Sequence, residues 1–135
     1  MRARAPRGCR RGSERGSAVV ELALVLPVLF LILLAVVQVG LLARDRLLVQ
    51  EAARAGARAA SVSLEDGDVR ATMLRAAPGL DPARLDITVT REGGQGTVVT
   101  VEVEYRARIA GPIAGWLLPT EVTLEGAAAM RQEVG

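Results

Sequence analysis

The residue with the most chemistry at stake is Glu21, a lone carboxylate set at the edge of a long apolar run. From Leu22 to Val37 no side chain is polar, and after the single Gln38 the apolar character resumes to Ala43. Those 22 residues would extend about 33 Å as a helix, against a hydrocarbon core of roughly 30 Å. A domain of this size has no interior large enough to hide such a helix, so the run reads as one transmembrane span. An acid inside a bilayer is costly, and intramembrane acids are functional candidates by default. A second reading stands beside it, in which Glu21 lies one turn from the headgroups and snorkels outward. Gly16 lies five positions earlier, so a chain cut after Gly16 would begin at Ser17 and carry Glu21 as its fifth residue.

Other chemistry is scarce. Glu102 and Glu104 fall on one face of a predicted strand and could in principle work as paired acids. Carboxylates two apart on an exposed strand are far more often a solubilising stripe. The chain has no His to act as a base, no G-x-S-x-G element and one Cys, Cys9. An internal disulfide is thereby excluded, as is a His/Cys metal cluster. Gly93-Gly94 opens no helix and precedes no P-loop lysine, so phosphate binding is not expected. No catalysis, metal or cofactor is expected of this chain.

The charge of +2 is unevenly placed. Six arginines (Arg2, Arg4, Arg7, Arg10, Arg11, Arg15) precede the apolar run, and without residues 1–16 the remainder holds 11 basic against 14 acidic residues, a net −3. The basic leader lacks interleaved aromatics, and nucleic-acid binding is set aside. Clustered positive charge on the short side of a span keeps that side cytoplasmic and places residues 44–135 outside. A secretory signal fits poorly, because its apolar region is shorter and ends at a small-residue cleavage site. A lipidated Cys would follow the apolar region, whereas Cys9 precedes it.

The elements that position Glu21 follow from the pattern. Pro27 inside the span removes one helical hydrogen bond. It reads either as a harmless kink or as a local melt that lets the helix pack or be extracted. Past Arg44-Asp45-Arg46, helical spacing continues through Leu48, Ala52, Ala55, Ala59 and Val62, with Glu51, Arg54 and Arg58 off that stripe. Ala52, Gly56 and Ala60 form a small-xxx-small row that permits close approach of another element. Cover by the chain's own domain is favoured over an intersubunit seam. The helix from Ser17 to about Ser63 would be on the order of 70 Å long. Asp66 or Asp68 is expected to cap a short helix over Val69 to about Ala77, ended by Pro78-Gly79. Leu85, Ile87 and Val89 then alternate with polar residues, as do Val99, Val101, Val103 and Tyr105, across a glycine-rich turn at 92–96. A third strand is expected over about Glu121 to Met130. Trp116, in the apolar stretch 109–119, is expected to cover the sheet or to anchor at the membrane interface. A three-stranded sheet needs its apolar face covered, and the outer half of the long helix is the obvious cover. The expected class is therefore an α+β membrane protein, a long N-terminal helix packed on a small antiparallel sheet of about three strands. Its segments are a leader (1–16), a span (17–43), an outer helix (44–63) and a small α+β domain (64–135).

Basic leader, Gly16, four uncharged residues, Glu21 and a retained apolar helix together resemble the class III signal of type IV pilins and pseudopilins. Gly16-Ser17-Ala18-Val19-Val20-Glu21-Leu22-Ala23-Leu24-Val25-Leu26-Pro27 is similar to the opening of TadE-like proteins, pseudopilins or minor pilins of tight-adherence (Flp-type) pilus systems. Gln50 to Ala60 resembles their A-x-x-G-A-R-A-A element, so the likeness covers roughly residues 12–62. Ser17 and Val19-Val20 depart from the opening of major type IV pilins. The resemblance implies cleavage after Gly16 by a prepilin peptidase and a role for Glu21 in pairing with a neighbour's new N-terminal ammonium. It also implies residence in the bacterial cytoplasmic membrane among membrane lipid, other pilin subunits and tight-adherence assembly proteins. The alternative is an uncleaved single-pass protein whose outer domain scaffolds or binds another envelope protein.

Overall fold

A computed structural model describes residues 13–109 and 119–133, with side chains from Gly16 onward. The leader arginines through Arg11, together with Cys9 and Trp116, lie outside the described residues, and so does the side chain of Arg15. The element order is α1 (Ser13–Val62), α2 (Asp66–Ala76), a 3-10 turn (Pro82–Arg84), β1 (Leu85–Arg91), β2 (Val98–Arg108) and β3 (Glu121–Arg131). The expected class holds: a long apolar N-terminal helix and a three-stranded antiparallel sheet of order β1-β2-β3. The chain forms two compact units that divide within α1, between Val37 and Gln38.

In the first unit α1 runs without interruption through Pro27. Among the described residues it is the one helix long and apolar enough to cross a membrane, and none of its most apolar window is buried. Leucine, valine and isoleucine point outward on every side, from Val19 and Leu24 to Phe30 and Val37.

In the second unit α1 becomes one-sided. Val49, Ala52, Ala53, Gly56, Ala57, Ala60 and Ser61 are buried, while Glu51, Arg54 and Arg58 stay exposed. These positions alternate steps of three and one, which is a helical face. The face is rotated from the expected stripe: Leu48, Ala55 and Ala59 are only half-buried, and Val62 is exposed. Val62 is the last helical residue, where the chain turns away into Ser63 and Leu64. Against this face lie Val99, Val101, Val103, Tyr105 and Ala107 of β2, Leu124 of β3, and Val69 and Met73 of α2. Small residues on the helix permit the closeness. A methyl added at Gly126 of β3 would meet Val49 Cγ1 at 2.9 Å and the Val49 carbonyl oxygen at 3.1 Å. One added at Gly56 would sit 2.6 Å from Met73 Sδ.

The alternation read in the strands is present. Val99, Val101, Val103 and Tyr105 are buried, whereas Glu102, Glu104 and Arg106 are exposed. On the edge strand β1, Ile87 and Val89 are only half-buried. Helix α2 begins earlier than its apolar spacing suggests, and its cap is Glu65, with no side-chain capping bond. Asp66 and Asp68 lie inside the first turn instead, where negative charge complements the helix dipole. Arg91 of β1 reaches Asp66 at 2.8 Å. The 3-10 turn went unread in the sequence, although Asp81-Pro82 carries its signal. The Asp81 carboxylate accepts from the Ala83 N–H at 3.0 Å, and Pro82 follows the cap.

Candidate functional site

The candidate site is the N-terminal half of α1, built by helix geometry alone. Gly16, Ser17, Glu21 and Pro27 all lie within the helix and are exposed. Ser17 and Glu21 are four apart and so share one face, about 6 Å from each other along the axis. The Gly16–Ser17 bond lies within the described length of α1. A methyl added at Gly16 would meet nothing within 4 Å, and no steric demand of the chain itself calls for glycine there. Gly40 is equally unconstrained.

Glu21 stands between Val20 and Leu22, which are 61% and 58% exposed. Among the described residues it has no ion-pair partner. Its carboxylate is thus the one charge on the apolar, exposed stretch between Gly16 and Val37. Six residues on, Pro27 lacks an N–H and leaves the Ala23 carbonyl without its usual donor. Beside it Leu26, Leu29, Phe30 and Leu33 line a shallow apolar groove of about 180 Å³.

Ala52, Gly56 and Ala60 are brought together on the buried face of the second unit. Ala52 and Ala60 belong to its apolar core, and Gly56 admits the Met73 side chain.

Glu102 and Glu104 project from the exposed face of β2, beside an open depression of about 340 Å³ that Glu125 also lines. Register explains their company: Glu104 lies opposite both Asp86 and Glu125, which makes a row of three acids across the sheet. Like charges directly opposite destabilise a sheet modestly, and their exposure to water keeps that cost small. Among the described residues no group of His, Cys, Asp or Glu is arranged to hold a metal ion.

In the comparison with protein families, the model described as TadE-like protein matches residues 16–58. Neither the curated proteins nor the solved structures gave a match. The matched segment begins at Gly16, contains Glu21 and Pro27, and ends in the buried small-residue face at Arg58.

Proposed function

We propose, from the premise that residues 16–58 assign this chain to the TadE-like family, a pilin-like structural family, that it is a minor pilin or pseudopilin of a tight-adherence pilus or a related secretion system. The observation that carries the reading is the first part of the family segment, residues 16–37 of α1, whose apolar residues are uncovered and interrupted by one carboxylate. Such a surface is stable in lipid or against other apolar helices, and a pilus assembled from membrane-held subunits uses both settings in turn.

In this reading the arginine leader stays cytoplasmic and a prepilin peptidase cuts after Gly16. Glycine serves the reaction in two ways. It lacks a side chain that would obstruct a protease, and it weakens the first helical turn by roughly 1 kcal/mol relative to alanine. Cleavage leaves an ammonium on Ser17, at the positive end of the α1 dipole, where a cation is unfavourable. A carboxylate nearby offsets that charge, and Glu21 of an adjacent subunit supplies it in a low-dielectric setting where paired charges attract strongly. Pairing also offsets much of the cost of a lone acid in the apolar layer. The carboxylate thereby sets the axial register of incoming helices. The second unit stays outside the membrane as the domain the helix displays, and the chain acts as a building element without catalysing a reaction.

The test is Glu21→Ala in the native host. Membrane insertion and the amount of protein should be unchanged, while pilus assembly is lost. Unimpaired assembly would remove the role assigned to the carboxylate.

A further inference from the structure

We infer that the second unit docks on a second copy of this chain, the outward face of α1 in one copy lying on the outer face of the sheet in the next. Helix and sheet each leave one side open. The buried face of α1 seats on Val99, Val101, Val103 and Leu124, so Glu51, Arg54 and Arg58 point away from the sheet into water. Strand alternation turns Asp86, Glu102, Glu104, Glu125, Ala127 and Ala129 away from α1, and all six are exposed. The two open faces therefore lie on opposite sides of the unit.

Their charges are opposite. On the sheet, Asp86, Glu104 and Glu125 stand in one row, with Glu102 two residues along β2. Among the described residues none of these four carboxylates has an ion-pair partner. Bases on the same face are fewer: Arg108 is taken by Glu121 at 3.6 Å, which leaves Arg106 and Arg131. On the helix, Arg58 is likewise unpaired among the described residues, and Arg54 meets Glu51 at 3.3 Å in an exposed pair that contributes little.

Spacing and shape agree with the charges. Arg54 and Arg58 lie one turn apart, about 6 Å along the helix. Glu102 and Glu104 lie about 7 Å apart along β2. Beside them the floor is low, because Ala127 and Ala129 are small. The open depression of about 340 Å³ that Glu102, Glu104 and Glu125 line has room for a guanidinium, whose paired N–H donors match a carboxylate. On the inner face a small residue, Gly126, already lets the Val49 turn of α1 come close, and the outer face offers a second helix the same kind of seat. A neighbour's arginines offset the like-charge row that one chain leaves uncompensated. The contact is heterologous, so each copy keeps one face free for the next. It is built from the second unit alone and stands apart from cleavage after Gly16.

The experiment co-expresses two full-length copies with different tags, both carrying Cys9→Ser, purifies them together in detergent and oxidises them. One copy carries Glu51→Cys, beside the arginines, and the other Ala127→Cys, beside the acids. A disulfide between the two kinds of copy should form about fivefold more than one between copies of the same kind. Arg54→Glu with Arg58→Glu on the first copy should cut the mixed yield about tenfold, and Glu102→Arg with Glu104→Arg on the second should restore it. Raising salt from about 0.1 to 1 M should lower the yield as well, because the screening length falls from about 10 to 3 Å. Equal yields in mixed and like pairs, a yield indifferent to charge reversal, or capture of a different protein in place of the second copy would overturn the contact. Any of these would leave the processing reading standing, since none depends on where the chain is cut.

Discussion

Replacing Gly126 by alanine should loosen the seat of the sheet on α1, and the structure gives the size of the effect. A methyl there would stand 2.9 Å from Val49 Cγ1, 3.1 Å from the Val49 carbonyl oxygen and 3.3 Å from its carbonyl carbon. Two of the three atoms are helix backbone, which cannot swing aside. Val49 is itself fully buried, so its side chain has no free space to enter. Overpacking of this kind costs about 1–3 kcal/mol, and removing a strand glycine returns roughly 0.5–1 kcal/mol. The net loss should be about 1–2 kcal/mol, a fall in Tm on the order of 5–15 °C for a unit of this size. Val49→Ala alone should cost about 2 kcal/mol through the cavity it leaves. The double variant should lose less than the two singles together, by about 1 kcal/mol, because the closest clash is gone. Thermal unfolding of the full chain in detergent, followed by circular dichroism, measures all three. A neutral Gly126→Ala, or strict additivity in the pair, would refute the argument that this close approach seats the helix.

Gly56→Leu should destabilise more than Gly126→Ala, since the fully buried Met73 fills the space its side chain would need, and Met73→Ala should relieve part of the loss in the same unfolding assay. Arg91→Ala removes the bonds to Asp66 and the Ser63 carbonyl and should cost about 1 kcal/mol, with faster hydrogen exchange confined to residues 63–68. Gly96 has φ of 89°, so Gly96→Ala should cost about 1–2 kcal/mol by chemical denaturation, whereas Gly94→Ala should be near neutral. Glu21→Ala should leave the unfolding transition of the second unit unchanged even though it is expected to abolish assembly.

Much of this architecture was legible because its signals are periodic. The long apolar helix announced itself by length, and the strands by alternation that register later paired residue for residue, Val103 with Ile87 on one side and with Gly126 on the other. The buried face of the outer helix was harder. Alanine occupies six of the nine positions from Ala52 to Ala60, so apolar spacing could not choose between Ala55/Ala59 and Ala53/Ala57, and contact with Met73 and β3 decided it. The start of α2 was misjudged because its cap makes no side-chain bond, and the tie that holds it comes from Arg91, 25 residues away from Asp66. The N-terminal site shows the reverse. Gly16, Ser17 and Glu21 were read from spacing and resemblance, and helix geometry adds the face that Ser17 and Glu21 share.

The central claim is that this chain is a processed pilin-like subunit, and the most direct test is the intact mass and N-terminal sequence of the protein from its native membrane fraction. A mature chain that begins at Ser17 is the predicted result. A chain that still carries the arginine leader, in cells whose prepilin peptidase is active, would contradict the account and leave an anchored envelope protein in which Glu21 is an interfacial acid.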